Sequence, residues 1–189
     1  MSVDEALMKD QDIAVARRWS AAMSHICLTT AAVFVVGSIW QWHSMAPADL
    51  AVWLDVPGVR LDHGRAIGVF LLMCLPAAIN AYGLIAIRSS FRSFASGEIF
   101  SPVAVLGLQR FGSAGAISVS AAAVMTPMVG CWLTYDSQAG ADFPIRIGTG
   151  SLTILVVSGL TWTFARILGI TCAVERKNRE LTEENAAFV

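Results

Sequence analysis

Apolar residues along this chain collect in four long blocks, and the polar residues fall between and beyond them. The blocks run roughly from Ala21 to Trp42, Ala66 to Ile87, Ser113 to Tyr135 and Thr149 to Ile170. Each is about as long as the ~20 apolar residues that an α-helix needs to cross a bilayer. The second carries no charge until Arg88. Because an unpaired backbone amide is costly in hydrocarbon, an uninterrupted block of this length predicts a transmembrane helix. The first block has Trp19 at one end and Trp40 and Trp42 at the other. At about 1.5 Å per residue those rings are ~35 Å apart, the hydrocarbon layer plus two interfacial belts. Trp132 and Tyr135 end the third block in the same way.

The polar segments predict orientation. Lys9, Arg17, Arg18, Arg88, Arg92, Arg110, Arg166, Arg176, Lys177 and Arg179 fall on one side of a four-span arrangement. Only Arg60, Arg65 and Arg146 fall on the other. Short loops with this bias place residues 1–20, the middle loop and residues 171–189 in the cytoplasm. The expected fold is therefore a single all-α membrane domain over residues 1–189. It is an integral bundle of four transmembrane helices with both termini inside.

Finer elements follow from local pattern. In the middle loop Phe91, Phe94, Ile99 and Phe100 alternate with Arg92, Ser93 and Glu98, which predicts an interfacial segment against the headgroups. Ser101-Pro102 reads as a helix start, Ser as N-cap and Pro in the first helical position, so the third helix is expected to begin before its apolar block. Beyond Cys172 the chain is charged but keeps apolar spacing at Val174 and Leu181, which predicts that the fourth helix continues as an amphipathic tail. Pro76 and Pro127 should bend the second and third helices near mid-membrane.

Small residues recur along the third block at Gly112, Ala116 and Ser120, with Gly115 and Ala123 beside them. The fourth has Thr149, Thr153, Gly159 and Thr163. Such stripes let helix backbones approach in lipid, although small residues are also common in membrane helices generally. The third and fourth helices are expected to pack tightly.

Composition agrees with this. Of the 189 residues 56% are hydrophobic and only 14% charged, and mean hydropathy is +0.63. A soluble domain carries about 25% charged residues. The net charge of -1 and the lack of a dense basic run give no reason to expect nucleic acid. Cys27, Cys74, Cys131 and Cys172 each fall in or beside a different block and read as apolar packing residues. Asp4, Glu5, Asp10 and Asp12 precede the first block, unlike the basic start of a cleaved signal peptide.

Two polar residues stand inside the blocks. His25 lies about a turn from the cytoplasmic edge, with His43 and His63 at the opposite face. Paired haem ligation within one chain fails, leaving a polar contact, an interface role or pairing with a second copy. Asn80 must find a partner in lipid, so it is expected to face another helix, as a structural bond or as a contact for a ligand such as a quinone. No Asp or Glu lies within the four spans, which argues against a proton-coupled multidrug transporter. Asp49, Asp55, Asp62 and His63 match no metal-ligand spacing. No nucleophile elbow, P-loop or HExxH motif is present, so neither catalytic residues nor a cofactor or metal are expected.

The run Phe91-Arg92-Ser93-Phe94-Ala95-Ser96-Gly97-Glu98-Ile99-Phe100-Ser101 resembles the loop signature of the bacterial membrane family catalogued as domain of unknown function 2975. The ending Glu183-Glu184-Asn185-Ala186-Ala187-Phe188-Val189 resembles that family's acidic, Val-closed tail, with a longer stretch (Glu175 to Glu180) before it. The resemblance implies a small multi-pass protein of the bacterial inner membrane and brings no activity with it. Within the signature, Gly97 permits a turn that other residues resist, Glu98 faces water or a helix N-terminus, and Phe100 anchors at the interface. Arg88, Arg92 or Arg110 are then expected to pair with Glu183 and Glu184.

The functional expectation is a non-catalytic accessory, structural or regulatory subunit. It would act through helix contacts with a larger membrane complex or with copies of itself. The alternative is a small transporter or a ligand- or quinone-binding protein, for which Pro76, Asn80 and Pro127 at similar depth would frame a cavity.

Overall fold

The computed structural model describes residues 3–44, 62–98, 101–134 and 148–187. They form four helices: α1 (Val3–Ser44), α2 (His63–Ala95), α3 (Pro102–Thr134) and α4 (Thr149–Ala187). All four are long and apolar enough to cross a membrane.

Every helix outruns its apolar block because nothing stops it sooner. No Gly or Pro precedes Gly37 in α1, so the helix begins far out in the charged N-terminal stretch. Beyond Gly169, α4 continues through residues with good helix propensity. Arg176 meets Glu180 at 3.2 Å and Arg179 meets Glu175 at 2.6 Å, pairs spaced i,i+4 that support the exposed tail. The expected pairing of Arg88, Arg92 or Arg110 with Glu183 and Glu184 is not formed. Ala165 packs level with Leu108. The straight run of α4 then carries Glu183 roughly 27 Å further at 1.5 Å per residue.

The end of α2 differs from the expected interfacial segment. Phe91 and Phe94 lie on the helix itself, edge to face with ring centroids 6.3 Å apart. They pack against Ile87, Leu108 and Ala165 instead of lying along a surface. Spacings of four and seven from Ile87 put them on its face, so the pattern that looks like a loop is the last buried turn of a helix. Ile99 and Phe100 lie outside the described residues.

What ends α2 is Gly97. Its φ is +90°, a conformation that side chains disfavour. Gly97 N–H donates to Phe94 O and Glu98 N–H to Ser93 O, the paired bonds of a Schellman motif. The side chain of Glu98 is exposed. The hydroxyl of Ser101 accepts from the N–H of Ala104 at 3.1 Å, capping α3 just before Pro102 as its sequence indicates.

Among the described residues, Cα atoms come within 8 Å only between successive helices: α1 with α2, α2 with α3, α3 with α4. The helices alternate in direction, so the N-terminus of α1 and the C-terminus of α4 share one end. At that end side chains from all four close together, Cys27 of α1 and Leu168 of α4 joining the cluster of Ile87, Leu108 and Ala165. Toward the other end, among the described residues, the core of Val69, Val129 and Leu133 draws only on α1, α2 and α3. Trp42 belongs to this core and meets Phe70 edge-on at 5.5 Å, whereas Trp19 and Trp40 stay exposed as belt residues do. The four helices thus form a row bent around a gap between α1 and α4.

Candidate functional site

The gap is organised around Pro76. Lacking an N–H, it leaves the carbonyl of Leu72 without its helical donor. Across the interface the buried Ser118 Oγ donates to Pro76 O at 2.9 Å, and Asn80 Nδ2 donates to Ser118 Oγ at 2.6 Å. Asn80 therefore faces another helix, as an amide in hydrocarbon must.

Antiparallel registration brings these residues together. Gly107 sits so close to α2 that a Cβ there would meet Ala86 O at 2.7 Å. A Cβ on Gly83 would meet Ala114 Cβ at 3.0 Å. Ser90 Oγ donates to Ala104 O at 2.7 Å. In each pair the residue number on α3 falls as that on α2 rises, and the same register sets Ser118 opposite Asn80.

At the α3–α4 crossing the two backbones approach at two of the small residues. A Cβ on Gly112 would meet Ser158 O at 2.8 Å and Trp162 N at 2.9 Å, and one on Gly115 would collide with the Ser158 hydroxyl. Gly112 and Gly115 thus hold the two backbones together. Ala116 is only half-buried, and Ser120 is exposed, its hydroxyl turned back to Ala116 O. On α4 the residues met are Trp162 and Ser158. Gly159, one position and about 100° further round the helix, has nothing within 4 Å of its would-be Cβ.

Past that crossing α4 stands between open spaces. A cleft of about 360 Å³ is lined from all four helices, including Phe34, Ser38 and Gln41 of α1, Asn80 of α2 and Ser151 of α4. A second of about 340 Å³ adjoins it at Phe34, Asn80 and Ile154. A third of about 330 Å³ lies against α3 around Pro127. Among the described residues, no charged side chain lines any of the three. Among the described residues, the Oδ1 and second amide hydrogen of Asn80 meet no partner, and neither Asn80 atom is a buried orphan. The free edge of the amide therefore opens onto the first two clefts.

His25 stands away from this site. Its side chain is exposed, and its carbonyl accepts from Thr29 Oγ1 at 3.1 Å. The described residues contain no cluster of three or more metal-ligating side chains, and Asp49 and Asp55 lie outside them. Sequence reasoning missed Ser118, although a signal existed. Ala104, Gly107, Ala114 and Ser118 repeat at spacings of three, seven and four, a second small stripe beside that of Gly112 and Gly115.

No protein-family model, curated protein or solved structure matches the chain.

Proposed function

We propose that this chain is a multi-pass protein of the bacterial inner membrane, with both termini cytoplasmic. On this reading it works without catalysis, as an accessory or regulatory subunit, through helix contacts with a larger membrane complex or a second copy. The observation that carries the reading is the isolation of α4. Its backbone comes close to that of α3 alone, while Gly159 and Thr163 on another face meet open space. A small-xxx-small pair turned outward is the surface that lets another helix approach closely in lipid. Purification in mild detergent followed by mass spectrometry tests it. A stoichiometric second membrane chain, or a stable homo-oligomer, is expected. Recovery of a lone monomer from native membranes would refute it.

A second reading, a ligand-binding membrane protein, is favoured by a separate observation: the open edge of Asn80 in clefts of ligand size. Stabilisation of the purified chain by a membrane-soluble compound tests that reading. The resemblance to domain of unknown function 2975 adds no activity to either.

A further inference from the structure

We propose that the adjoining clefts at Asn80 bind a neutral amphiphile through a hydroxyl group, an alcohol or phenol carried on an apolar body. This rests on the ligand-binding reading and names the chemistry it would recognise.

Three observations select that class. Among the described residues, the linings of the two clefts hold hydroxyls, amides and apolar side chains but no charge. An ionised head would sit there without a counter-charge, at high desolvation cost. Asn80 still offers one donor and one acceptor, because only one of its amide hydrogens is spent, on Ser118. A hydroxyl matches both, accepting from Nδ2–H while donating to Oδ1. A ketone or quinone oxygen satisfies only the donor, and an ether likewise.

Depth separates such a ligand from ordinary lipid. The charge-free part of α2 lies between Arg65 and Arg88, and at 1.5 Å per residue Asn80 is about 5 Å from its middle. Phospholipid ester and headgroup oxygens lie at the edge of the ~30 Å hydrocarbon layer, roughly 15 Å from the midplane. They do not reach Asn80 without burying a charged headgroup. A molecule whose polar group is one neutral hydroxyl reaches it at low cost. The head would occupy the cleft lined by Ser38, Gln41 and Ser151, and the apolar body the more apolar cleft beside Leu84, Phe111 and Val157.

The test uses the full chain in phosphatidylcholine nanodiscs. It is titrated with a decyl-substituted hydroquinone, the matching quinone and the hydroquinone dimethyl ether, with an isoprenoid alcohol as a second hydroxyl source. Both hydroxyl compounds are expected to bind about tenfold more tightly than the ether, the loss that follows when a buried polar group goes unmatched. Tighter binding of the hydroquinone than of the alcohol would assign the site to ring-bearing ligands, and the reverse to lipid alcohols. Asn80→Leu is expected to abolish the preference. Ala122→Phe, which fills the first cleft without touching the Asn80–Ser118 bond, is expected to lower affinity for all of them at unchanged helical content. Equal binding of hydroquinone and ether, or a preference that survives Asn80→Leu, would overturn the hydroxyl assignment while leaving a ligand site. Binding of none of the compounds would overturn both.

Discussion

Asn80 and Ser118 stand 38 positions apart in the chain and 2.6 Å apart in space, the amide donating to a hydroxyl that itself donates to the carbonyl of Pro76. One small residue thereby serves two polar groups on the facing helix. Breaking this relay leaves the Asn80 side-chain amide short of a partner, while the Pro76 carbonyl keeps the backbone N–H one helical turn on. Ser118→Ala is expected to destabilise the protein by about 1 kcal/mol, between the ~0.6 kcal/mol typical of bonds between membrane helices and the larger cost of an unmatched buried group. Denaturant unfolding in detergent measures it. A double-mutant cycle with Asn80→Ala should show that the two losses are not additive.

Gly115→Val and Gly159→Val form a contrasting pair. The first places a Cβ against the Ser158 hydroxyl, the second into open space. The expected cost is about 1–3 kcal/mol for Gly115→Val, from overpacking at the α3–α4 crossing. Gly159→Val should leave monomer stability within about 0.5 kcal/mol, as a change at an open position does, but should release any partner that docks on α4. Unfolding and native mass spectrometry of both variants check the two effects separately.

Gly97→Ala should be costly because the backbone there has φ +90°. A loss of about 1–2 kcal/mol is expected. The Arg17 guanidinium beside the would-be Cβ is the far end of a flexible, exposed side chain and swings aside. Adding Arg17→Ala should therefore recover little of the loss, as denaturant unfolding in detergent would measure. Full recovery would show that the backbone conformation contributes nothing.

The basic residues make orientation testable. On the proposed topology, single cysteines placed at Asn185 and at Ser96 are expected to react with a membrane-impermeant maleimide only after the cytoplasmic face is opened, because ten of thirteen Lys and Arg residues fall on one side of a four-span arrangement and such a bias favours the cytoplasm. Labelling of either site in intact cells would invert the proposed topology.

Much of this was legible from the order of residues. Four apolar blocks, the Ser101–Pro102 start, the Gly97 turn and the helical tail follow from local physics, because length, capping and backbone freedom act within a few residues. The contact-seeking nature of Asn80 followed from the cost of an unpaired amide in lipid. Which partner it took did not. Ser118 became that partner only through the antiparallel register of α2 on α3, set by close approaches at Gly83 and Gly107. That α4 turns Ser158 and not Gly159 toward α3 was likewise undecided by spacing, since one step rotates a helix by about 100° and either stripe could serve. The gap between α1 and α4 is a property of the whole row. Four apolar helices can close into a ring or stand in line, because in lipid their outer faces pay no penalty for staying exposed, and only the packed side chains choose between them.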